Sequence, residues 1–160
     1  SIDFHETYPN PDSDFFRYYA PALNMGWLPG SDDIQPQAAE IYGVHDFLGR
    51  FIKADPKRSP GDNFDYNSSN ADVLGWLIAR ISGLPFQDYV QQNIWAKLGA
   101  EHDAYIAVDR AYVPAVTGGM NSTLRDALRF GIMIKDRGVF NGQQVIPDSW
   151  IDKTLQVSEQ

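Results

Sequence analysis

In Phe64-Asp-Tyr66-Asn-Ser68-Ser-Asn70-Ala-Asp72-Val-Leu-Gly-Trp76-Leu-Ile a tyrosine stands directly ahead of a helix start. Ser69-Asn-Ala-Asp72 fits the S-x-x-D capping pattern, in which a side-chain oxygen accepts from an orphan N–H of the first turn. Behind it Val73, Leu74, Leu77, Ile78 and Ile81 share one face until Gly83. That spacing predicts the strongest helix of the chain, with this face in the core. A tyrosine at such an entry is held rigidly. Its phenol titrates near ~10 and serves as a base at neutral pH only where cations favour the phenolate. No lysine of this chain is obviously placed to do that.

Outward from this segment the pattern stays helical. Val44, Phe47, Leu48 and Phe51 recur at three and four, predicting a short amphipathic helix over 44–52, stopped by Asp55-Pro-Lys-Arg-Ser-Pro-Gly-Asp62. After Pro85, Phe86, Tyr89, Val90 and Ile94 predict another helix, packing through Trp95 and Leu98 before Gly99. Tyr105-Ile-Ala-Val-Asp109 reads as a short strand. Thr123-Leu-Arg-Asp126 is a second capping box, opening a helix filled by Leu124, Leu128, Phe130, Ile132 and Met133 that stops near Gly138. Asn141-Gly142 marks a turn, and a last helix starts around Pro147-Asp148 and runs through Trp150, Ile151 and Leu155. The prediction is mainly α, five helices with little strand. Residues 1–43 hold five of the ten prolines among aromatic clusters such as Phe15-Phe16-Arg17-Tyr18-Tyr19, and read as a packed, substrate-facing loop region.

Composition narrows the function. With 43% hydrophobic residues and 21% charged, the 160-residue chain has the make-up of one globular domain. A formal charge of -8 with no basic stripe argues against a nucleic-acid partner. No apolar run reaches the length of a membrane span. Zero cysteines remove disulfides and thiolate chemistry, and are compatible with either redox compartment. His5, His45 and His102 never fall at the i, i+4 spacing of a helical metal pair, so no metal is expected. G-x-S-x-G, Walker and G-x-G-x-x-G patterns are absent. Asn67-Ser-Ser69 and Asn121-Ser-Thr123 match the N-glycosylation pattern but overlap helix starts, and read as structural.

Around Tyr66 the segment resembles the Tyr-x-Asn/Ser element and following helix of the serine β-lactamase and penicillin-binding-protein superfamily, in its class C-like part. Gly118-Gly-Met-Asn-Ser-Thr-Leu-Arg125-Asp126-Ala-Leu-Arg129-Phe-Gly131 is similar to that superfamily's G-G-x-x-S-T-x-R-D-x-x-R-F-G helix, followed by its N-G…W pattern at Asn141-Gly142 and Trp150. Asp3-Phe4-His-Glu6-Thr-Tyr8-Pro-Asn-Pro11-Asp-Ser13 and the Gly26-Trp27 pair resemble the branch of 6-aminohexanoate-dimer hydrolases. The resemblance implies a helical subdomain of the β-lactamase/transpeptidase-like α/β fold, lacking most of the sheet domain. It implies Tyr66 as the proton-shuttling catalytic residue, and no organic cofactor. Tyr8, Trp27, Ser68, Gly118 and Gly119 become candidate substrate-binding residues, Tyr8 closing over the substrate and the glycine pair lying at the rim.

Two departures accompany it. The third position of Tyr-x-Asn is Ser68, as in the dimer-hydrolase branch, which lowers the expectation of efficient β-lactam hydrolysis. No serine, Ser59, Ser68, Ser69, Ser122 and Ser149 included, has a lysine three residues on, and the K-T-G strand is missing. Residues 1–160 are therefore expected to form a single helical, central domain of a larger serine hydrolase, cut at both ends and inactive alone. Its missing N- and C-terminal segments would be its partners, and small amides, esters or β-lactams its substrates. Two rivals stand beside it: a non-catalytic β-lactamase-like binding or scaffold module, and an unrelated helical interaction protein with Tyr66 deep in its core.

Overall fold

The computed structural model describes residues 2–3, 6–7, 10, 12–15, 43–51, 53–54, 66–109 and 111–156. The chain divides into two compact units, Ser1–Ile81 with Ile106–Gly119 and Ser82–Tyr105 with Met120–Gln160. The build is mainly α with three two-stranded sheets among the described residues. The stop at 55–62 and most of the proposed loop region 1–43 lie outside the described residues.

In the first unit β1 (Ile2–Asp3) pairs antiparallel with β2 (Lys53–Ala54), Ile2 opposite Ala54. Helix α1 spans Val44–Phe51, where its periodicity predicts it. Val44 and Leu48, four residues apart, are both buried. Helix α2 spans Ser68–Ser82. It begins two residues ahead of the Ser69-capped start that the sequence predicts, because its cap is different. Asn67 Oδ1 accepts from Ser69 N at 3.1 Å and from the Ser69 hydroxyl, the geometry of an N-cap bonding the second helical residue. Asp72 turns away to another segment.

The face of α2 is the main correction. Its buried residues are Ser68, Ser69, Asp72 and Gly75, whereas Leu74, Leu77 and Ile81 are 60%, 45% and 85% exposed. Periodicity locates residues that share a face; it does not say which face the neighbouring segment takes. Here the 115–117 segment approaches the small and polar face, because Gly75 permits contact that a side chain would block. A Cβ at Gly75 would lie 2.3 Å from Val116 Cγ2.

The second unit has an apolar centre. Helix α3 (Phe86–Val90) continues through a wide turn (Gln91–Trp95) and a tight one (Ala96–Leu98), carrying Trp95 and Leu98 inward. They meet Met133 of α4 (Leu124–Lys135), with Ile94, Ala104, Phe140 and Ile146 packed around. The α4 capping box forms as the sequence predicts. Thr123 Oγ1 accepts from Asp126 N at 3.1 Å. Of the residues expected to fill α4, only Met133 is buried; Leu124, Leu128, Phe130 and Ile132 are exposed. The strand read over 105–109 shortens to β3 (Tyr105–Ile106), and β4 is Met120–Asn121. Asn141-Gly142 does more than turn the chain. Both take positive φ, the backbone of a two-residue hairpin loop, and join β5 (Val139–Phe140) to β6 (Gln143–Gln144). Helix α5 runs Asp148–Leu155 and buries Ile151.

Candidate functional site

Tyr66 stands two residues before α2, and its side chain is 66% exposed. A core position for it is thereby excluded. The helix start behind it is tightly held. The Ser68 N–H donates to Glu6 Oε2 at 2.7 Å, and the Ser68 hydroxyl donates to Glu6 Oε1 at 2.5 Å. One carboxylate thus grips the first residue of the helix twice, where negative charge also suits the helix N-terminus. A hydroxyl has one proton. With that proton committed to Glu6, Ser68 can meet any further group only as an acceptor.

Six residues on from Tyr66, Asp72 is buried and accepts from Val116 N at 2.9 Å and Thr117 N at 3.2 Å. Burial pushes its carboxyl up to about 6; the two backbone N–H groups pull the other way, and the charge of Asp109 adds to the rise. The segment it holds leads into Gly118 and Gly119, both exposed. Gly119 has φ +87, and a Cβ there would lie 2.8 Å from Ala107 Cβ, so both conformation and space call for glycine. Its carbonyl accepts from Ala107 N at 3.1 Å.

A second buried carboxylate secures the other end of that loop. Asp109 Oδ2 accepts from Val44 N at 2.8 Å, supplying the start of α1, and Oδ1 accepts from Ala111 N and Val113 N at 2.7 and 2.8 Å. Beside it His45 stacks on Trp76 with ring centroids 5.0 Å apart, and burial lowers its pKa against the opposing charge of Asp109. Arg80 sits 5.9 Å over the same Trp76 ring.

Four of the site residues expected from sequence, Tyr66, Ser68, Gly118 and Gly119, therefore belong to one unit and connect through α2 and Asp72. Tyr8 and Trp27 lie outside the described residues. Sequence reasoning missed Glu6, quoted in a motif without a role, and Asp72, taken for a cap. An acidic residue three positions after a serine at a helix start reads as a capping partner by default, so nothing local marked Asp72 as a tether. No group of three or more metal-binding side chains occurs among the described residues, and no helix there is long and apolar enough to cross a membrane.

A mainly helical body with a tyrosine ahead of its longest helix, joined to a Gly-Gly turn, is the helical subdomain of the β-lactamase-type fold. The chain belongs to the β-lactamase family, whose profile matches residues 22–159. It is 34% identical over 157 residues to a 6-aminohexanoate-dimer hydrolase of Paenarthrobacter ureafaciens, covering 97% of this chain and 36% of that protein. Among solved structures it is similar to a putative 6-aminohexanoate-dimer hydrolase from Bacillus anthracis, with TM-score 0.76, 26% identity, and coverage of 98% of this chain and 39% of the other. An octameric penicillin-binding protein homologue from Pyrococcus abyssi shares the fold at TM-score 0.57 and 16% identity, over 85% of this chain and 34% of its own. The chain thus spans little more than a third of the relatives it matches.

Proposed function

We propose that this chain is the helical part of a serine hydrolase that opens amide, ester or β-lactam bonds through an acyl-enzyme, with Tyr66 as its proton shuttle. The nucleophilic serine and its lysine would come from outside these residues. The serine oxygen forms a bond to the substrate carbonyl carbon, and the bond from that carbon to the leaving nitrogen or oxygen breaks. The serine proton passes by way of Tyr66 to the leaving group, and water then releases the acyl group by the reverse relay. Ser68, as an acceptor fixed by Glu6, suits a substrate N–H. Gly118 and Gly119 offer a backbone rim, and Tyr8 and Trp27 complete the substrate surface.

The observation that carries this reading is the exposed phenol of Tyr66 directly ahead of a helix start locked by Asn67 and Glu6. The similarity to 6-aminohexanoate-dimer hydrolases supports a linear amide as the first substrate to try. The test is Tyr66→Phe in the protein expressed from its complete gene. Turnover of amide and ester substrates is expected to fall by roughly 10²–10⁴, the range for a positioned proton-transfer group. Thermal stability should stay unchanged. A folded variant with wild-type turnover would remove Tyr66 from the mechanism.

A further inference from the structure

We propose that Asp72 is a positioning residue of this site, holding the 116–119 turn in register with the helix start that carries Tyr66 and Ser68. This rests on the hydrolase reading above for its functional consequence, though the tether itself stands on geometry. Asp72 is a buried side chain whose oxygen accepts from two consecutive backbone N–H groups, Val116 and Thr117. Two donors converging on one acidic side chain fix both the position and the tilt of that peptide segment, as one hydrogen bond would not. One turn further along the same face of α2 the helix backbone closes on this segment, since Gly75 leaves no gap before Val116. The turn is further tied by Ala115 N donating to Ala107 O and Ala107 N to Gly119 O, at 2.8 and 3.1 Å. Gly118 and Gly119 therefore inherit their place from α2. A shift of the turn alone would change the rim while leaving Tyr66 where it is.

What the two backbone N–H groups require of this side chain is an acceptor. Asn fulfils this and Val does not. Hydrogen exchange by mass spectrometry on the protein from its complete gene reads the tether directly. Asp72→Val is expected to speed exchange over 115–119, whereas Asp72→Asn keeps wild-type protection. In kinetics Asp72→Val should raise KM about tenfold with kcat within about threefold, as loss of a binding rim does, and Asp72→Asn should restore KM. A general loss of folding would lower the active fraction, hence kcat, and leave KM alone. Should Asp72→Val fail to fold, Gly75→Ala gives a second route, because its methyl displaces Val116 with Asp72 intact and should raise KM alike.

Unchanged exchange over 115–119 in Asp72→Val overturns the tether. Faster exchange with unchanged KM overturns the positioning role. If Tyr66→Phe keeps full turnover, or the wild-type protein hydrolyses nothing, the hydrolase reading falls, while the exchange measurement still decides the tether.

Discussion

Two buried aspartates do opposite things to stability, because one is surrounded by donors and the other is chiefly desolvated. Asp126 accepts from Glu101 N at 2.9 Å, from the Thr123 hydroxyl at 2.8 Å and from Arg129 Nη1 at 2.6 Å. The Glu101 N–H is the largest cause that holds its carboxyl down to about 2; burial opposes it, and Thr123 and Arg129 add to the fall. A depressed carboxylate contributes stability that is complete above its unfolded value near 3.8 and is lost as pH falls towards about 2. Asp72 has the reverse sign. Its folded pKa lies above its unfolded one, so the native state holds the extra proton and stability declines as pH rises from about 3.8 through about 6. Urea melts across pH 2 to 7 separate the two. Asp126→Asn is expected to flatten the limb below pH 4, and Asp72→Asn the limb between 4 and 6. The opposite assignment of limbs would mean that the donors around each side chain have been misjudged. At this scale the sequence was readable where chemistry is local, as in Thr123 capping α4. It was opaque for Glu6 and Asp72, whose partners lie 62 and 44 residues away.

Helices were legible one by one, since each needs only its own periodicity and punctuation. Pro85 opens α3, Gly99 with φ +57 ends its continuation, and Asn141-Gly142 turns the hairpin. Strands of two residues are too short to show alternation, which is why β5 and β6 went unseen around a turn that was recognised. Orientation was the failure. In α2 and α4 the most apolar faces point outward, and a burial rule applied to isolated helices cannot detect this. The energetic consequence is direct. Met133 is fully buried against Trp95 and Leu98, so Met133→Ala should cost about 2–5 kcal/mol in this chain. Leu77→Ala, at a half-exposed site, should cost well under that, about 0.5 kcal/mol or less. Denaturant melts of the two variants side by side measure the difference. Equal losses would restore the sequence-based assignment of the α2 face.

On the scale of the molecule, two apolar stripes need a physical account. Within the first unit Leu74, Leu77 and Ile81 line α2 at spacings of three and four; within the second, Leu124, Leu128 and Ile132 recur every four residues on α4. Scattered exposed leucines are ordinary, but stripes at helical spacing are the signature of faces built to be covered. The relatives are more than twice as long as this chain, and the proposed hydrolase needs a serine-lysine pair that none of its residues supplies. The 160-residue chain produced alone should therefore combine two properties that are independent of each other. It should bind a hydrophobic dye such as anilinonaphthalene sulfonate in its folded state, and Leu74→Ser with Ile81→Ser should cut that binding without lowering stability. It should also take up no fluorophosphonate at any serine and hydrolyse neither linear amides, short-chain esters nor β-lactams above background, since Ser68 gives its proton to Glu6 and no serine has a lysine three residues on. Stoichiometric labelling of a serine in the isolated chain would show that it carries its own nucleophile and overturn the division of labour proposed here. An isolated chain that binds no dye would show that its apolar stripes are covered within the chain itself.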